Sequence, residues 1–142
     1  MSDPFDLQRF LSAQDDGGTY SRALAELRAG AKRSHWMWFV LPQIAGLGQS
    51  STARFFAISG RDEARAYLAH PVLGPRLLEC ARALTELSGR TAEQVLGSID
   101  ALKLRSSMTL FSGAAPEEPV FGQVLDQYFA GGPDEATTSR LR

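Results

Sequence analysis

Val72-Leu73-Gly74-Pro75-Arg76-Leu77-Leu78-Glu79-Cys80-Ala81-Arg82-Ala83-Leu84-Thr85-Glu86-Leu87 is the stretch on which the fold turns. Leu73, Leu77, Cys80 or Ala81, Leu84 and Leu87 recur at spacings of three and four, and Arg76, Glu79, Arg82 and Glu86 fall on the other face. That is the period of an amphipathic helix packed on a core. The rest of the chain shares the bias: Ala plus Leu number 37 against 8 for Val plus Ile, which favours helix and leaves a sheet short of β-branched residues. The expected fold is all-α, a compact multi-helix single domain of about seven to nine helices with no substantial sheet. Residues 3–132 form its core and 133–142 a docked or frayed C-terminal tail.

Upstream, Asp3-Pro4 reads as a helix start carrying Phe5, Leu7, Phe10 and Leu11, ended by Asp15-Asp16-Gly17-Gly18. Thr19 is placed to cap a second helix closed by Gly30. The run from Ser34 to Leu41 is expected as a short buried helix stopped by Pro42, and Gly46 to Ser51 as a loop entering a helical turn near Thr52 to Phe56. Ser59 with Asp62 resembles a capping box for a helix broken at His70-Pro71. Downstream, Thr91 with Gln94 is a second capping box, and Ser98 is placed to cap a helix from Ile99 to about Phe111. Pro119 opens a last helix through Phe129.

A chain of 142 residues can bury roughly two thirds of its unfolded surface around one core. Its 44% hydrophobic and 22% charged composition excludes disordered, collagen-like and coiled-coil chains. One cysteine, Cys80, forbids an intramolecular disulfide and reads as an inert core residue. With two histidines it leaves too few ligands for a structural zinc site, so neither a metal nor another cofactor is expected. Residues 1–20 lack a basic segment followed by an apolar run, and no long apolar stretch occurs, so a cytoplasmic protein without membrane association is expected.

The net charge of −1 is unevenly spread. Between Leu27 and Arg61 there is no acid, whereas Arg28, Lys32, Arg33, Arg54 and Arg61 are basic; from Ala101 to Pro116 acids are again absent, with Lys103 and Arg105 present. If these segments meet, they form an electropositive face. The first holds Lys32-Arg33-Ser34-His35-Trp36-Met37-Trp38, an aromatic slab beside cations that suits a planar anion, although a Trp-rich helix is ordinarily core. His35 suits hydrogen bonding or capping. The loop Gly46-Leu47-Gly48-Gln49-Ser50-Ser51 can offer backbone N–H groups to an anion or simply form a turn. In the second segment Asp100, Lys103 and Ser107 form a polar stripe, with Ile99, Leu102 and Leu110 along one edge and Leu104, Met108 and Phe111 along the other. Such a stripe is either an internal ion pair or a cleft wall with acid–base capacity. The chain has only two lysines, Lys32 and Lys103, against thirteen arginines, which marks both as places needing a compact ammonium.

The stretches Ser34 to Phe39, Pro42-Gln43, Gly46-Leu47-Gly48, Ala66-Tyr67-Leu68, Pro71 to Leu77, Asp100 to Leu104 and Ser106 to Phe111 carry a further signal. With Phe121, Asp134 and Thr137 they make the chain resemble a bacterial family catalogued as domain of unknown function 1810, over about residues 3–141. The resemblance implies a mainly helical fold and supplies no catalytic residue. Some members carry the label calpastatin, a name for disordered inhibitor segments that this composition does not match.

The leading expectation is a pocket between the Trp-rich segment and the Asp100 helix that binds a small anionic or nucleotide-like ligand. Lys32, Arg33, Lys103 and Arg105 would neutralise it, Trp36 or Trp38 would stack on it, and His35, Gln43, Gly46, Gly48, Ser50 and Ser107 would complete the lining. One alternative is a protein-interaction module using an aromatic and basic patch, with a protein as partner. Another is a hydrolase acting on a phosphorylated or glycosidic small molecule, with Asp100 as the candidate catalytic group. A pI near 6.1 and the lack of a basic recognition helix argue against nucleic acid as the partner.

Overall fold

Leu73–Glu86 forms the helix that the leucine spacing demands, and its apolar stripe, from Leu73 through Leu77, Cys80 and Ala81 to Leu84, is buried. The computed structural model describes residues 3–141. In chain order the helices are α1 (Gln8–Asp15), α2 (Thr19–Ala29), α3 (Met37–Val40), α4 (Ser51–Phe55), α5 (Arg61–Ala69), α6 (Leu73–Glu86), α7 (Ala92–Leu96), α8 (Ser98–Ala114), α9 (Pro119–Phe129) and α10 (Glu135–Arg140). Each expected helix has a counterpart, but α1 begins at Gln8 instead of Pro4, α2 has Gly18 and not Thr19 as its N-cap, and of the run from Ser34 to Leu41 only Met37–Val40 is helical. The tail adds α10, which packs on α8. Among the described residues there is no strand, only a single parallel bridge between Ile44 and Ile58. No helix among them is long and apolar enough to cross a membrane.

α5 and α9 each pack on both α6 and α8, and α2 packs on α6. Between them runs a chain of rings, with Phe10 against Tyr67 at 5.1 Å, Tyr67 against Phe111 at 5.5 Å and Phe111 against Phe121 at 5.8 Å. All four are completely buried, and each such side chain contributes about 1.5–3 kcal/mol by leaving water. Cys80 lies in this core, where burial pushes its thiol up to about 12.

Several helix starts differ from expectation. Thr91 and Gln94 do form the capping box of α7. Ser98, by contrast, is the first residue of α8 and caps nothing; the N-cap is Gly97, at φ 87°. Gly60 is likewise the N-cap of α5, and it is Glu63, not Asp62, that reaches back to accept the Ser59 N–H at 2.9 Å. Glu63 is buried, and its other oxygen pairs with Arg9 at 2.8 Å. Arg9 also donates to the carbonyls of Phe5, Phe55 and Ala57, so one guanidinium clamps α1 to the segment between α4 and α5. Ahead of α1, Asp3 accepts from the N–H groups of Leu7 and Gln8, closing a turn before the helix begins.

The α8 edges also divide differently. Leu110 is buried as expected, but Ile99 and Leu102 are 69% and 65% exposed. The N-terminal turns of α8 pack on α7 from one side and present those two side chains to solvent.

Candidate functional site

Glu26, near the end of α2, organises the Trp-rich segment. α2 ends at Gly30, whose left-handed φ of 73° turns the chain back. Lys32 N–H then donates to the Val95 carbonyl of α7 at 2.8 Å. The Glu26 carboxylate accepts the N–H groups of Arg33 (2.8 Å) and Ser34 (3.1 Å), the Ser34 hydroxyl (2.6 Å) and the Trp36 indole N–H (2.9 Å). Burial alone would raise this carboxyl, but those hydrogen bonds outweigh it and bring the pKa down to about 2. The loop from 31 to 36 is therefore wound around one buried anion.

That winding sends the two tryptophans to different places. Trp36 is completely buried and belongs to the core. Trp38, two residues on, is only half-buried in α3 and faces the N-terminal half of α8. Lys103 of α8 holds its ammonium 4.8 Å above the Trp38 ring, and Lys32 holds its own 5.2 Å from the Trp36 ring. Both lysines converge on Asp100: Lys32 Nζ lies 2.9 Å from Oδ2 and Lys103 Nζ 3.4 Å from Oδ1. Two ammoniums against one carboxylate leave a local excess of one positive charge.

This cluster borders a concavity of about 350 Å³ lined by Lys32, His35, Trp38, Gly97, Ser98 and Asp100, among others. No side chain caps α8 at this end, so the first-turn N–H groups of a 17-residue helix add positive potential there. A second, narrower concavity of about 140 Å³ also has Trp38 in its lining, with Gln43, Ile44, Gly46, Gly48, Arg54, Phe56 and neighbouring alanines.

Lys32, His35, Trp38, Asp100 and Lys103 are thus brought together, and Gln43, Gly46 and Gly48 meet them through Trp38. Other candidates lie elsewhere. Arg33 is exposed, and its N–H, not its guanidinium, is engaged, by Glu26. Trp36 is core and offers no stacking face. Ser50 caps α4 by accepting the Ala53 N–H at 3.1 Å. Arg105 donates to the Gly132 carbonyl at 2.9 Å and lies over Phe129, tying α8 to the loop before α10. Gly46 has φ 99° and offers its carbonyl to Arg140, while Gly48 lets the loop approach α4, since a Cβ there would come within 2.5 Å of the Ala53 Cβ. Ser107 is buried with its hydroxyl unpartnered among the described residues.

Glu26 escaped the sequence reading because it looks like a surface acid on α2; its one signal is that it precedes a long acid-free segment rich in donors. Asp134 and Thr137 have a structural role. Asp134 caps α10 and its carboxylate accepts the Ser106 hydroxyl at 3.1 Å, while Thr109 accepts the Asp134 N–H.

No curated protein matches the chain. A solved structure, the conserved hypothetical protein Rv1873 from Mycobacterium tuberculosis, is 49% identical over 98% of both chains, with a TM-score of 0.95. Residues 4–141 match the family described as "Protein of unknown function (DUF1810)", the same stretch that builds the α8 dock for α10, the Glu26 loop and the paired lysines. The chain belongs to that family.

Proposed function

We propose that this protein binds a small anionic, nucleotide-like ligand in the cleft between the Trp-rich segment and α8. The observation that carries the reading is the convergence of the only two lysines on Asp100 beside the half-buried Trp38. Asp100 orients the ammoniums without cancelling both, and each retains donors for an incoming phosphate or carboxylate. Trp38 supplies a flat apolar surface next to them. His35 and the uncapped start of α8 add donors at the rim. In this reading Asp100 acts as an organiser of charge.

The test is calorimetric titration with a panel of nucleotides and sugar phosphates at low and high salt. Binding that weakens with salt, and drops at least tenfold in Lys103→Met while melting temperature is kept, is the expected outcome. Loss of the fold in Lys103→Met with no binding by the parent protein overturns the reading and leaves the stripe with a purely architectural role.

The exposed Ile99 and Leu102 favour a second reading, a protein-interaction face beside the cleft. Ile99 also borders the cleft, so Leu102→Ser separates the two: unchanged small-anion binding places Leu102 outside the ligand site, and loss of a co-purifying partner assigns it to an interface.

A further inference from the structure

The narrower concavity beside Trp38 has the size of one aromatic ring. Its volume is about 140 Å³, and an apolar cavity of about 150 Å³ accommodates benzene. Trp38, Ile44, Phe56 and several alanines make it largely apolar, while Gln43 brings the one carboxamide and Arg54 the one charge among the residues that line it.

Its walls are held independently of any ligand. The Gln43 carbonyl accepts the Ile58 N–H at 2.9 Å and the Ala45 N–H donates to the Ile58 carbonyl at 2.8 Å, which fixes Gln43 and Ile44 through the bridge to Ile58. On the far side Arg9 donates to the carbonyls of Phe55 and Ala57. A preformed slot loses little order when filled. A carboxamide beside the Arg54 guanidinium in a slot walled mainly by apolar groups can present a donor and an acceptor side by side, the pattern that pairs with the amide-like edge of a pyrimidine. The space covers one ring, so the second ring of a fused purine would project from its open mouth.

Building on the anion-binding reading above, we infer that the ligand is a pyrimidine nucleotide whose base enters this slot against Trp38. Gln43 reads the edge of the base, and the phosphate lies on the Lys32 and Lys103 side of the same indole. Trp38 is the shared wall that sets the relation between the two subsites.

The experiment compares uridine 5′-monophosphate, adenosine 5′-monophosphate, ribose 5-phosphate and uridine by calorimetry and by quenching of tryptophan fluorescence. Trp36 is buried and bonded to Glu26, so quenching reports on Trp38. Uridine monophosphate is expected to bind at least tenfold more tightly than the adenosine nucleotide and ribose 5-phosphate. Gln43→Ala is expected to bring it down to the level of ribose 5-phosphate, whose own affinity stays unchanged; that unchanged affinity also shows the variant to be folded. Equal affinities for uridine monophosphate, adenosine monophosphate and ribose 5-phosphate overturn the base subsite and leave the anion reading standing. Uridine binding as tightly as its monophosphate supports the base subsite and overturns the anion reading. Absence of binding by all four overturns both.

Discussion

The Trp36 indole N–H donates to Glu26 Oε1 at 2.9 Å, with the indole fully buried and the glutamate 8% exposed. Through that bond, and three others to the same carboxylate, a residue of α2 sets which of two neighbouring tryptophans is left at the cleft.

Glu26→Ala is expected to lower stability by about 3 kcal/mol in urea unfolding, because it strands the buried Trp36 N–H, at about 1–3 kcal/mol, and leaves three partly buried donors without their acceptor. Tryptophan emission should shift to the red. The same carboxylate has a folded-state pKa of about 2, below its ordinary 4.5. Its contribution is therefore complete above about pH 4.5 and is lost as pH falls toward 2, since the unfolded chain takes up the proton first. Glu26→Gln should flatten the acid limb of the stability curve over that window. An unchanged acid limb would assign acid unfolding to other carboxylates.

Arg9→Met is expected to destabilise by about 3–5 kcal/mol, the usual consequence of leaving a buried carboxylate without its partner. Arg9 and Glu63 are 10% and 4% exposed in their side chains, so solvent cannot substitute for the lost guanidinium. The double variant Arg9→Met with Glu63→Leu should recover part of the loss. A melting temperature equal to that of the parent for the single variant contradicts this account.

Asp134→Ala removes the cap of α10 together with its bond to Ser106, and about 1 kcal/mol is the expected loss. The effect should be local. Hydrogen exchange is expected to quicken from Glu135 to Arg140 while α6 keeps its protection; uniform quickening across the chain would mean that α10 and the core unfold together.

Ser107→Ala should be neutral or stabilising by up to about 1 kcal/mol, since the hydroxyl is buried without a partner among the described residues. A loss greater than 1 kcal/mol would show that the hydroxyl has a partner in solution, such as a bound water.

Helices were readable because they are local. The leucine spacing of α6, the capping box at Thr91 and the glycine at position 30 each act over a few residues, and each is found where the sequence put it. Failures came where one residue type can satisfy two geometries. Ser98 has the chemistry of a cap but sits one position inside α8, and Asp62 and Glu63 are both able to reach back over the start of α5, although only Glu63 also meets Arg9.

The sequence alone determined that this chain is helical, that its basic residues fall in two acid-free segments, and that only two positions carry lysine. Those properties follow from residue type and spacing. Tertiary structure decided that the lysines meet at Asp100, that Trp38 and not Trp36 borders the cleft, and that Ile99 and Leu102 are exposed while Leu110 is buried. Each depends on a partner distant in sequence or on which face a neighbouring helix covers, and a one-dimensional pattern does not contain that information. Spacing along a helix gives the angle between side chains; only packing fixes what each of them faces.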